Sequence, residues 1–145
     1  MKQTTWKILC IVAAVLFIAA GVYGKLAGAC PTMIECTSGQ VPMKCHWAYI
    51  ATAFIGGAGA LLALCAAFAK NTDARRLGAL SILIAALLFM AILSPFGIGV
   101  CTHETNPCVG ARLVVYAMCI VNIVLAILMA IKANPQEAEL PKMKL

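Results

Sequence analysis

The chain has 145 residues, 63% of them hydrophobic and only 11% charged, with a mean hydropathy of +0.99. These values fall outside the range of soluble globular domains, and four spanning helices of about 20 residues each leave no room for a separate soluble catalytic domain. Eleven lysines and arginines against five acidic residues give a formal charge of +6. They occur in ones to threes between apolar runs, without the basic face and interleaved aromatics of a nucleic-acid surface, so no nucleic-acid partner is expected.

Apolar runs at 8–24, 47–69, 77–100 and 113–131 are each long enough to cross about 30 Å of hydrocarbon at about 1.5 Å per residue. Lipid admits only helices or closed barrels, and no run alternates with the period of two that a barrel strand needs. The predicted fold is therefore all-α, an integral membrane four-helix bundle forming a single domain over 1–145. Lys2, Lys7, Lys70, Arg75, Arg76, Lys132, Lys142 and Lys144 fall on one side of these spans, against Lys25, Lys44 and Arg112 on the other. The positive-inside rule then puts both termini and the 70–76 turn in the cytoplasm, and loops 25–46 and 101–112 outside. The expected location is the cell (inner or plasma) membrane, as a multi-pass protein with the bilayer as its first partner. Lys2, Lys7 and the apolar run before Ala27-Gly28-Ala29 also fit a cleavable signal peptide. The run is long for that role, and a retained anchor is expected.

The first span leaves through Gly21 and Gly24 and the third through Gly97 and Gly99, after Ser94-Pro95, which removes a backbone hydrogen bond and kinks or ends the helix. Each outward loop then carries cysteines. Cys36 and Cys45 precede the second span, Cys101 and Cys108 the fourth, at offsets of 65 and 63 residues, so the chain reads as two similar helical hairpins. Four such cysteines allow three pairings. Cys36–Cys45 and Cys101–Cys108 need the least rearrangement, with Cys30 left over for a second subunit, for the free state, or as a replacement for Cys36. An outward loop is an oxidising place, whereas Cys10, Cys65 and Cys119 lie within spans and act as small apolar residues.

Within the spans, Ala53-x-x-x-Gly57 and Gly56-x-x-x-Ala60 form a seam of small residues where a helix of the same chain or of another copy can approach. Thr52, Ser81, Ser94 and Asn122 are the polar groups available, and each is expected to hydrogen-bond between helices. Trp47 and Tyr49 are expected in the outer interfacial belt and Trp6 in the inner one. The tail after residue 131 is too short and polar to fold alone and is expected to be a solvated cytoplasmic end or a short docking segment for a cytoplasmic partner.

The first outward loop closes with Val41-Pro42-Met43-Lys44-Cys45-His46-Trp47. The second opens with Gly99-Val100-Cys101 and closes with Asn106-Pro107-Cys108. Together these resemble a family of small four-span prokaryotic membrane proteins known only as a domain of unknown function. The resemblance implies that Cys36, Cys45, His46, Cys101 and Cys108 form the shared outer-face group, with Cys30 an addition. It also implies an accessory role beside exporter-type transporters.

Three chemistries suit these residues. Disulfides can pin the outer loops to the bundle, each contributing about 2–4 kcal/mol. Thiol–disulfide exchange suits a four-helix protein with an outward cysteine pair per hairpin, with Lys44 and His46 lowering the pKa of Cys45, although the pairs lack Cys-x-x-Cys spacing. Met43, Cys45, His46, Cys101 and His103 are soft ligands for copper(I) or zinc, again without dedicated spacing. Transport by the chain alone is disfavoured, since no ionisable residue lines a span. The reading is a non-catalytic accessory or structural subunit without a cofactor, associating with further copies of itself or with a transporter-type membrane partner.

Overall fold

The computed structural model describes residues 2–28, 33–36, 39–99 and 107–133. Four helices form an antiparallel bundle: α1 Gln3–Tyr23, α2 Lys44–Ala67, α3 Thr72–Leu93 and α4 Pro107–Lys132. All four are long and apolar enough to cross a membrane. Each packs on its neighbour in sequence, and α4 closes the ring against α1.

Two ends can be told apart. At the turn end, the start of α1 meets the short connection between α2 and α3; Gln3 Nε2 donates to the Ala69 carbonyl at 3.4 Å. At the hairpin end, α1 continues through a π-helical turn, Gly24–Gly28, and a small antiparallel hairpin, β1 Met33–Cys36 with β2 Gly39–Pro42, leads into α2. The hairpin pairs Ile34 with Val41 and closes at Cys36 opposite Gly39, whose φ of +121° suits glycine. Among the described residues this hairpin is a local addition to the all-α bundle, in a stretch that the sequence reading took as plain loop.

The third helix ends at Leu93, before the apolar run does. Ser94, ahead of Pro95, is forced into an extended conformation (φ −77°, ψ 161°). The chain then folds back over the helix end, where Gly99 at φ +74° donates its N–H to the Ile92 carbonyl at 3.1 Å.

Small residues set the helix spacing. Gly56 lies so close to α1 that a Cβ there would stand 2.7 Å from the Phe17 carbonyl oxygen, and one at Gly59 would stand 3.0 Å from the Phe17 ring. Gly21 returns the fit from the other side, where a Cβ would stand 3.3 Å from the Ala53 Cα. The seam read from Ala53, Gly56 and Ala60 thus meets α1 of the same chain, with Gly56 and Ala60 buried, while a Cβ at Gly57 would have nothing within 4 Å. On α3, Gly78 packs against Ala66. Phe17 and Phe89 fill the centre, and Leu26, Phe54 and Phe68, each more than three-quarters exposed, face the lipid.

Adjacent glycines on α2 should therefore respond in opposite ways. Gly56→Ala is expected to cost about 1–3 kcal/mol, the usual range for forcing atoms into a packed interior, seen as a lower Tm in detergent. Gly57→Ala should hold or raise the Tm, because it adds helix propensity without meeting a neighbour. Equal losses for both would contradict the packing.

Candidate functional site

The residues of the expected outer-face group that the structure describes gather at the hairpin end. Met43 caps the start of α2 with extended backbone, and its carbonyl accepts from the His46 N–H at 3.0 Å. Cys45, Ala48, Tyr49 and Thr52 follow at helical spacing, and all four are buried. His46 and Trp47 turn away from the core, their rings edge to face at 5.7 Å between centroids. Trp47 is half exposed, as an interfacial tryptophan should be.

Tyr49 is at the centre of this end. Its hydroxyl donates to the Cys108 carbonyl at 2.6 Å, joining the second turn of α2 to the first turn of α4. The aromatic ring lies against the π-helical turn. A Cβ at Gly24 would sit 3.0 Å from the ring and one at Gly28 would overlap it, which explains glycine at both positions. Cys45, Cys108, Arg112 and Tyr116 are the ionisable groups within electrostatic reach of the phenol. Cys108 is buried, and Arg112 and Tyr116 are half-buried further along α4. The Tyr116 hydroxyl donates to the Met90 carbonyl at 3.3 Å, tying α4 to the end of α3.

This geometry corrects several expectations. Tyr49 is fully buried and hydrogen-bonded instead of belonging to a lipid-facing belt. Trp6 is also fully buried, its Nε1 donating to the Ala66 carbonyl at 2.8 Å and Arg75 lying over its ring at 5.6 Å. In both cases a polar tip found a main-chain carbonyl inside the bundle, where a buried indole N–H or phenol hydroxyl without an acceptor is costly. Among the described residues no disulfide is formed, so the expected pinning of the loops is not observed at Cys45 or Cys108. Cys36 stands at the end of β1, while Cys30, Cys101 and His103 lie outside the described residues. Among the described residues no group of three or more His, Cys, Asp or Glu is placed to hold a metal ion. Of the metal candidates, Met43, Cys45 and His46 share the start of α2, but Cys45 is turned inward while the His46 ring meets Trp47 edge to face.

The expected interhelical hydrogen bonds are not formed either. Thr52 donates to Tyr49 O at 2.9 Å, Ser81 to Leu77 O at 2.9 Å and Ser94 to Ala91 O at 2.6 Å, each within its own helix. Asn122 is fully buried on α4, and neither amide atom has a hydrogen-bond partner. Thr52 is the other buried polar side chain of the described residues, and its hydroxyl is already engaged within α2. The role of Tyr49 is the feature that sequence reading missed. Its only signal was the i, i+4 spacing from Cys45, with Gly24 and Gly28 at matching spacing across the loop.

Removing the Tyr49 hydroxyl should loosen this end without emptying it. Tyr49→Phe is expected to cost about 0.5–1.5 kcal/mol, the net value of one intramolecular hydrogen bond. Tyr49→Ala should cost about 3–5 kcal/mol, as for other large-to-small aromatic substitutions, and should make Cys45 and Cys108 react faster with maleimide. Unchanged thiol reactivity in Tyr49→Ala would show that the ring does not shield them.

No curated protein and no solved structure matches the chain. Residues 9–133, which include all the described parts of the site, match the family described as Domain of unknown function (DUF4418), and the chain belongs to that family.

Proposed function

We propose that the chain is a non-catalytic accessory or structural subunit of an exporter-type membrane complex, seated in the cell membrane with both termini cytoplasmic. The observation that supports this reading is where the polar groups of the interior are spent. Trp6, Tyr49 and Tyr116 each donate to a main-chain carbonyl of another helix, so these groups serve to hold helix to helix. That is the economy of a scaffold. The orientation follows from the basic residues: Lys2, Lys7, Lys70, Arg75, Arg76 and Lys132 flank the turn end, against Lys25, Lys44 and Arg112 at the hairpin end.

A second reading, thiol–disulfide exchange on the outer face, is favoured by one observation. The folded chain brings Cys45 from one hairpin and Cys108 from the other to the same tyrosine. Cys30, Cys36 and Cys101 are the further redox candidates on this reading.

One purification separates the two. The tagged full chain, taken from its native membranes in mild detergent after an acid quench, is expected to bring down a multi-pass transport protein in fixed stoichiometry. Recovery of the chain without such a partner, but in mixed disulfides with secreted proteins, would sink the accessory reading and support exchange. Single-cysteine variants labelled in intact cells with an impermeant maleimide check the topology. A cysteine at residue 39 should label, and one at residue 71 should not.

A further inference from the structure

A groove of about 460 Å³ runs between α1 and α2 near the hairpin end, away from the cysteines. This lies within the roughly 300–1,000 Å³ of pockets that hold organic ligands. Its walls are Ile18, Val22 and Leu26 on one side and Ala53 and Gly57 on the other, and Lys25 stands at its upper end. Ile18, Val22 and Leu26 are all at least half exposed, so the groove opens toward lipid.

The two adjacent glycines of α2 explain how it is kept open. Gly56 is required by packing, since a Cβ there would collide with α1. Gly57 is not, because a Cβ there would meet nothing within 4 Å. Glycine in a helix interior costs about 1 kcal/mol relative to alanine, and at this position the backbone conformation offers no reason for it. What the missing side chain provides is the floor of the groove.

We propose that this groove is a binding site for one anionic phospholipid, an acyl chain lying over Gly57 and Ala53 and the phosphate on the Lys25 ammonium. The walls are apolar along the hydrocarbon depth, and a cation stands where the headgroup region begins, beyond the last residue of α1. Among the described residues Lys25 forms no ion pair. The same charge argues against a second copy as the occupant. A two-fold contact through this face would set the Lys25 of one copy beside that of the other, and like charges at an interface are unfavourable.

The test is native mass spectrometry of the full chain released from detergent after titration with phosphatidylglycerol or phosphatidylcholine. The wild-type protein is expected to retain one phosphatidylglycerol preferentially. Lys25→Gln, an exposed change, should lower the preference for phosphatidylglycerol over phosphatidylcholine about fivefold, the equivalent of about 1 kcal/mol per surface lysine. Gly57→Leu, whose side chain fills the groove, should abolish retention of either lipid at this site while keeping the wild-type Tm. Equal retention of the two lipids by the wild type, or retention unchanged in both variants, would overturn the proposal. So would a wild-type dimer that Gly57→Leu converts to monomer without loss of bound lipid, since the groove would then be a helix–helix interface. If Gly57→Leu fails to fold, the Lys25→Gln titration decides alone.

Discussion

The backbone carbonyls at the C-terminal end of a helix have no partner within that helix, and near a membrane interior they cannot rely on water. Much of this structure is an answer to that constraint. At the end of α2, the Ala66 carbonyl receives the Trp6 indole N–H, and the Ala69 carbonyl just beyond receives Gln3 Nε2 and Arg75 Nε. Arg75 Nη2 also donates to Gln3 Oε1, joining the donors to one another. At the end of α3, Met90 receives the Tyr116 hydroxyl, Ala91 the Ser94 N–H and hydroxyl, and Ile92 the N–H of Gly99. Apart from Ser94, the donors come from other helices or from chain that has doubled back, so capping the ends and assembling the bundle largely coincide.

Once the ends are tied, the middle must fit. The Trp6 clasp at one end and the Tyr49 clasp at the other fix how closely α1 and α2 approach along their length, and glycine is the residue that accommodates this. Phe17 occupies the space over Gly59, and its carbonyl sits over Gly56. Lipid drives no hydrophobic association between helices, so close backbone contact of this kind and the dispersion it allows carry much of the helix pairing. The same logic explains Gly24 and Gly28. A larger residue at either position would displace the Tyr49 ring and with it the hydroxyl that reaches Cys108.

The spans were legible because an apolar run of this length has few alternatives in a polypeptide, and the helix break at Ser94-Pro95 was legible because proline acts locally. Trp6 and Tyr49 were misread for a physical reason. An amphipathic aromatic near the end of a span has a default place at the lipid–water boundary, and the acceptors that draw these two inward are backbone carbonyls 60 and 59 residues away, which carry no residue-type signal. The β-hairpin had local signals in Ile34, Val41 and Gly39, but they lay within a loop whose cysteines suggested a different kind of constraint. Gly56 and Gly57 were read as one seam. Only the helix phase separates the one pressed against Phe17 from the one open to lipid.

The two ends differ in how they are held, and this bears on where the chain can change state. The turn end combines an indole, an amide and a guanidinium on two neighbouring carbonyls, with the cation also over the indole ring. Loss of any one donor leaves the others in place. At the hairpin end, the described bond between α2 and α4 is the Tyr49 hydroxyl on Cys108, and the same ring is the surface on which the π-helical turn of α1 rests. A displacement of the first turn of α4 therefore reaches α1 through this side chain as well as through the direct packing of α4 on α1 and its π-helical turn. The cysteine-bearing first turns of α2 and α4 approach each other around that side chain, so the end of the molecule that carries the candidate cysteines is also the end where one residue touches three helices.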